Sequence, residues 1–347
     1  GIRDQPRSRG RGDVYKRQSR YLEAESIWVK YGWEIMDNGG DARALALGNT
    51  LTADGSSPIS VLWNPAHQTH QQTLPLIYGH QNRFAGLVSS DVLVFPLKTK
   101  MTIPLGLVIL REGVSRIPDT RNLLLDWGAD GMPGTMDFGE GNGVIDEGER
   151  LNLKDIKYFN QSQWAIHLST SRNYKKFTIG VAVKGILHNL GGYNGTGFGL
   201  DIGAKISAWE NGIVGLSITN CTTSWLLWEN GTIERTIPGV NMGVSHLFLF
   251  PDNPFQVRVN GDALLELGKQ ESRYRTGLEV SYKSKFQIRF GRNNNGFLST
   301  GLGLFWTNFS MDYAYRSSPA NTGFGASHII SFRIDPLWVK NKLKTLL

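Results

Sequence analysis

From about Leu74 onward, apolar side chains recur at every second position, and this constrains the fold class more tightly than any other feature of the chain. A period of two puts alternate residues on opposite faces of an extended strand. Phe286, Ile288 and Phe290 fall on one face, and Gln287, Arg289 and Gly291 on the other. Phe177, Ile179, Val181 and Val183 alternate with Thr178, Gly180, Ala182 and Lys184, and Phe309 to Tyr315 alternate with Ser310 to Arg316. Fourteen segments carry the pattern, roughly 74–80, 84–96, 101–112, 163–173, 176–187, 197–209, 212–221, 239–250, 254–262, 275–282, 285–292, 297–306, 308–316 and 326–334. Many are near the ~9–11 residues that a tilted membrane strand needs.

The connections alternate too. Short turns at 97–100, 173–176, 209–212, 250–254, 282–285 and 305–308 interleave with mostly longer loops at 113–162, 188–196, 222–238, 263–274 and 317–325. Short turns on one rim, long loops on the other and an even strand number form the pattern of an outer-membrane barrel. A soluble secreted sandwich or propeller also alternates, so the second face decides. It carries Lys184, Asp201, Lys205, Arg258, Glu279, Arg289, Asp312 and Arg316 among many glycines and serines, which suits a wet or plugged lumen. Trp164, Phe177, Trp209, Phe250, Phe255, Trp306 and Tyr315 stand at segment ends, as interfacial girdles require. The expected fold is an all-β transmembrane antiparallel barrel of about 14 strands spanning 74–335. Helical spans are excluded: the longest apolar runs, such as Leu105 to Leu110, fall far short of the ~20 residues required.

Five of the seven net positive charges lie in residues 1–20. A basic arm of this kind suits nucleic acid or anionic lipid, but no aromatic platform or nucleic-acid-binding fold signature accompanies it, and no nucleic-acid partner is expected. The run RSRGRGDVYKRQ resembles translated adapter sequence, so residues 1–18 are set aside as a non-native or disordered tail. No signal peptide precedes the barrel, and an exported protein would have lost that segment or had it replaced. The single cysteine, Cys221, leaves the redox compartment open.

Residues 19–73 are too short and compact for an independent domain. Within them, Ala42 to Leu47 is helix-competent, Gly48 can end that helix, and Asn64-Pro65 forces an extended or turn conformation. Gly40, Ala42, Arg43, Ala44 and Gly48, then Trp63, Asn64, Pro65 and Ala66, resemble the signature of the PorV/PorQ family, relatives of the FadL-type transporters. The resemblance continues through IPDTRN (117–122), DWGADG (126–131), GNGVIDEGE (141–149), LLWENGTIERTIP (226–238), MDYAY (311–315) and SHIISFRI (327–334). It implies a fourteen-stranded barrel in the bacterial outer membrane, with 19–73 inside it as a plug and 336–347 as a periplasmic tail. It implies one of two roles: work with type IX secretion subunits, or passage of hydrophobic ligands. A plug fits the physics, since an empty lumen of this width leaks. Arg43 is a candidate partner for Asp201, Glu279 or Asp312, or else a solvated helix charge.

The loop 126–149 carries seven carboxylates with no Lys or Arg between them, which repel unless water or a cation intervenes. Glu140, Asn142, Gly143, Ile145, Asp146 and Glu149 match part of a calcium loop, with Asp137 standing in from one residue away for its first ligand. Calcium is the one cofactor this suggests; a merely hydrated loop is the alternative. Trp225 and Trp228 are either a partner or ligand surface or rim anchors. His67 and His70 lack metal spacing, and His167/Ser169 and Ser245/His246 have no third member, so no enzyme is expected.

Overall fold

The computed structural model describes residues 26–28, 32–68, 75–97, 104–266, 272–293, 297–318, 323 and 325–346. The basic run 1–18 and His70 lie outside the described residues. The strands are β1 (Ser26–Trp28), β2 (Leu76–Arg83), β3 (Val88–Leu97), β4 (Leu105–Asp119), β5 (Leu124–Leu125), β6 (Arg150–Leu151), β7 (Lys157–Tyr174), β8 (Phe177–Leu190), β9 (Tyr193–Trp209), β10 (Gly212–Thr219), β11 (Ser224–Trp228), β12 (Ile233–Thr236), β13 (Gly239–Leu249), β14 (Phe255–Glu266), β15 (Ser272–Tyr282), β16 (Phe286–Asn293), β17 (Leu298–Phe305), β18 (Phe309–Arg316) and β19 (Ser327–Ile334). Three α-helices accompany them among the described residues: α1 (Glu34–Asn38), α2 (Ala42–Ala46) and α3 (Pro336–Leu346). None is long and apolar enough to cross a membrane.

Fourteen strands close one antiparallel cylinder: β2, β3, β4, β7, β8, β9, β10 and β13 to β19, with β19 pairing back onto β2 from His328↔Asn82 to Ile334↔Leu76. Closure leaves this ring no free edge, and there is one cylinder, not two packed sheets. The period of two becomes an inside and an outside. Arg289 is 0% exposed on the inner face, while its neighbours Ile288 and Phe290 are 47% and 52% exposed on the outer one. A soluble protein buries the opposite set.

Several boundaries differ from the sequence expectation. The β4–β7 pairing runs out to Asp119↔Lys157, so the long loop is 120–156, and Trp164 sits within β7 and not at its end. The expected loop 188–196 is a tight turn at Gly191-Gly192, both with positive φ, which glycine adopts without strain. Much of 222–238 is the hairpin β11–β12, which prolongs the wall. Ser26–Trp28 is exposed and pairs in parallel with β12, and 336–346 is helix α3.

Candidate functional site

Residues 33–68 are almost all buried, and they pack against inward side chains of the wall strands. Their local structure follows from the sequence. The Asp41 carboxylate caps α2 by accepting from the Ala44 amide at 2.8 Å. Gly48 then leaves the helix at φ +66°. Asn64 accepts from the Ala66 amide at 3.0 Å, and Pro65 starts a short 3-10 turn where its missing N–H costs nothing.

Small side chains on the wall let this backbone lie directly against it. A Cβ on Gly291 of β16 would come within 2.2 Å of the Gly48 nitrogen, and one on Gly180 of β8 within 2.3 Å of the Ala66 nitrogen. Polar wall residues then satisfy the inner backbone. Ser331 accepts from the Ala42 amide at 2.6 Å, Gln81 donates to the Gly40 carbonyl at 2.8 Å, and Ser217 donates to the Trp63 carbonyl at 2.8 Å. Asn64 Nδ2 bridges the Thr52 carbonyl at 2.9 Å and the Ala204 carbonyl of β9 at 3.0 Å. Asp262 accepts both the amide and the hydroxyl of Thr52.

A charge network sits where α2 meets β14 to β18. Arg43 donates from Nε and Nη2 to Glu279 at 2.9 and 3.0 Å, and from Nη2 to Asp54 at 2.7 Å. Arg289 donates to Glu279 at 2.7 Å and to Asp312 at 2.6 Å, and Arg258 lies 3.7 Å from Asp54. Three guanidinium groups thus face three carboxylates, which makes their joint burial tolerable. Burial pushes the Asp54 carboxyl up, but Arg43 and Arg258 outweigh it and hold the group well below the usual carboxylate range. Asp41, with Arg333 only at 4.0 Å, is raised by burial. His67 is pushed by burial down to about 4, and its Nε2 lies 3.1 Å from the carbonyls of Leu51 and Thr52, so that nitrogen carries the proton.

Of the other wall charges, Lys184 donates to Asp201 at 2.8 Å and lies 5.3 Å from the Trp33 ring centroid. Arg316 faces inward 5.2 Å from the Phe297 ring centroid, and Lys205 is half-buried opposite Gly215. Asp201 and Asp312 do not bond Arg43. The sequence reading missed Asp54, Asn260 and Asp262; the last two were legible, because they share the inward parity of Arg258 on β14.

A cavity of about 240 Å³ remains between the inner segment and the wall, lined in part by Trp33, Met36, Leu62, Trp63, Lys184 and Leu264. It lies where two wall strands are interrupted. β10 and β11 both pair with β9 but are separated by 220–223, where Asn220 and Thr223 take positive φ. β12 and β13 are separated by Ile237-Pro238, and proline has no N–H to continue a ladder.

The acidic loop has a different economy. Asp126 accepts from the amides of Gly141, Asn142 and Gly143, and these donors hold its carboxyl below its ordinary range. Glu149 accepts from Gly128 and Asp146, Asp137 from Asp130, and Glu140 from Gly134 and Met136, while Asn142 donates to Asp146. Among the described residues no three His, Cys, Asp or Glu side chains converge into a metal-holding group. Trp225 stacks on Phe198 at 6.3 Å between centroids, and Trp228 donates to Glu234 at 2.8 Å, so both belong to the prolonged wall.

No protein-family model and no curated protein matches the chain. Among solved structures it resembles the toluene transporter TbuX of Ralstonia pickettii, at 13% identity and a TM-score of 0.52 over 86% of this chain and 98% of that one. It also resembles the CymD monoaromatic hydrocarbon channel, at 12% identity and a TM-score of 0.51 over 86% and 97%. At these identities the likeness is one of fold: the chain is a closed fourteen-stranded antiparallel β-barrel.

Proposed function

We infer that the chain is an integral barrel of the bacterial outer membrane that passes small hydrophobic compounds, with residues 33–68 as its plug. The observation that carries the membrane assignment is the inversion of burial, apolar side chains outside and a neutralised charge network inside. Passage is supported by the cavity beside the interrupted strands, where Trp33, Trp63, Leu62 and Leu264 offer apolar contact next to the charged side chains of Glu34, Asp37, Lys184, Arg273 and Arg275. Of the proteins of similar fold, TbuX is a toluene transporter and CymD a monoaromatic hydrocarbon channel. On this reading the rim with short turns faces the periplasm and the loop 120–156 faces outward. The test is toluene binding to detergent-solubilised protein, read as quenching of Trp33 and Trp63 fluorescence and its loss on Leu62→Trp, which fills the cavity. Absence of saturable binding overturns the transport reading.

A second reading follows the PorV/PorQ resemblance: a partner of type IX secretion subunits. It is favoured by the loop 120–156, where Met136 and Phe138 are 93% and 86% exposed among carboxylates, a costly arrangement for a surface with no partner. Crosslinking from position 138 in cells tests it; capture of no secretion subunit counts against it.

A further inference from the structure

The outer wall of the barrel is not uniformly convex. Between β14 and β18 it carries a groove of about 610 Å³. One side is a row of outward side chains set in register: Val259, Leu278, Phe290, Thr300 and Tyr315. In the next row toward the long-loop rim, Gly261 pairs with Thr276, Thr276 with Arg292, and Arg292 with Leu298. Thr276, Arg292 and Leu298 of this second row line the groove, with the wall glycines Gly277 and Gly291 between the rows.

Arg292 is the exception in this apolar surroundings. It is exposed on the outer face, one residue from the end of β16 at Asn293, and among the described residues no carboxylate reaches it. A guanidinium at the edge of an apolar groove is costly unless an anion completes it. Height identifies that anion. β16, β17 and β18 have 8 residues each. At ~3.3 Å per residue and a ~40° tilt they climb about 20 Å, short of the roughly 25 Å apolar band of such barrels. β7 and β9, with 18 and 17 residues, stand far taller on the opposite side. The leaflet at the long-loop rim must therefore dip at β16, which brings its headgroups to Arg292. Phosphate takes the planar guanidinium fork bidentately, and the groove receives acyl chain.

We propose that this groove is a binding site for one phosphorylated glycolipid of the outer leaflet, of lipid A type, with a phosphate on Arg292 and an acyl chain along Leu278 and Phe290. This rests on the outer-membrane reading of the barrel. The experiment is native mass spectrometry of detergent-extracted protein after addition of purified lipid A. The wild type retains one lipid A, and Arg292→Gln lowers retention about tenfold or more, the loss of a charge-assisted bond. Thr276→Phe fills the groove, keeps the arginine and lowers retention as well. Equal retention by Arg292→Gln overturns the proposal, as does equal retention of dephosphorylated lipid A or of phosphatidylglycerol in competition. Recovery of the chain in buffer without detergent overturns the membrane reading together with it, whereas a detergent-dependent barrel indifferent to Arg292 sinks this proposal alone.

Discussion

Arg43, on a five-residue helix inside the barrel, and Glu279, on the wall, meet through two parallel hydrogen bonds of 2.9 and 3.0 Å, both side chains almost fully buried. The pair joins segments 236 residues apart in sequence, and Asp54 and Arg289 extend it on either side. Inner segment and wall therefore share one charge balance.

Removing one member of that balance leaves uncompensated charge in a dry interior. Arg43→Met is expected to destabilise the barrel by about 3–5 kcal/mol. Arg43→Met with Asp54→Asn should cost less than the two single changes together, since the groups share a bond. Urea unfolding of the four proteins checks both; additive losses would contradict the coupling.

Contact between Gly291 and the inner segment leaves no room for a side chain, and the obstructing atoms are backbone of Gly48 and Leu47. Gly291→Val, a good strand residue otherwise, should displace the segment and raise single-channel conductance in planar bilayers several-fold. An unchanged conductance would show that the segment does not limit flow.

Outward and inward neighbours should answer substitution differently. Ile288→Lys puts a charge on the apolar outer face and is expected to cost about 2–4 kcal/mol near the bilayer midplane. Gln287→Glu, on the inner face, meets Arg289 and should leave the unfolding midpoint unchanged. Similar losses for both would argue against a lipid-facing exterior.

Acid should loosen the inner segment through His67. Its folded pKa of about 4 lies below the ordinary imidazole value of 6.5. The unfolded chain therefore binds more protons between those values, and stability falls as pH drops through that window, by at most ~3 kcal/mol. Asp41 opposes this, because its raised carboxyl prefers acid; Asp54 and Lys205 are the charges that act on the imidazole. The difference between wild type and His67→Gln isolates the effect: the variant should lose less stability between pH 6.5 and 4, and identical pH profiles would refute it.

Alternation alone made the inner wall charges legible, since Arg258, Glu279 and Arg289 each stand on the polar parity of their own strand. It did not reveal that the three stand directly opposite one another on adjacent strands, because register depends on turn lengths that no single strand encodes. Nor did it reveal Asp54, which lies in an irregular stretch with no period to read. The same limit applies to Gln287. Parity marks it as an inward position open to change, yet it accepts from Arg289, so a lysine there would lose an acceptor and add like charge.

By itself the sequence determined that the chain forms some fourteen strands, which residues share a face, and which face is apolar, because side-chain direction in a strand is a local property. Closure of the cylinder, the seating of residues 33–68 on wall glycines, the cavity beside the interrupted strands and the place of Arg292 on the groove were decided only by tertiary structure. Each depends on which strands become neighbours and how far each rises, and those are distances between residues remote in the chain.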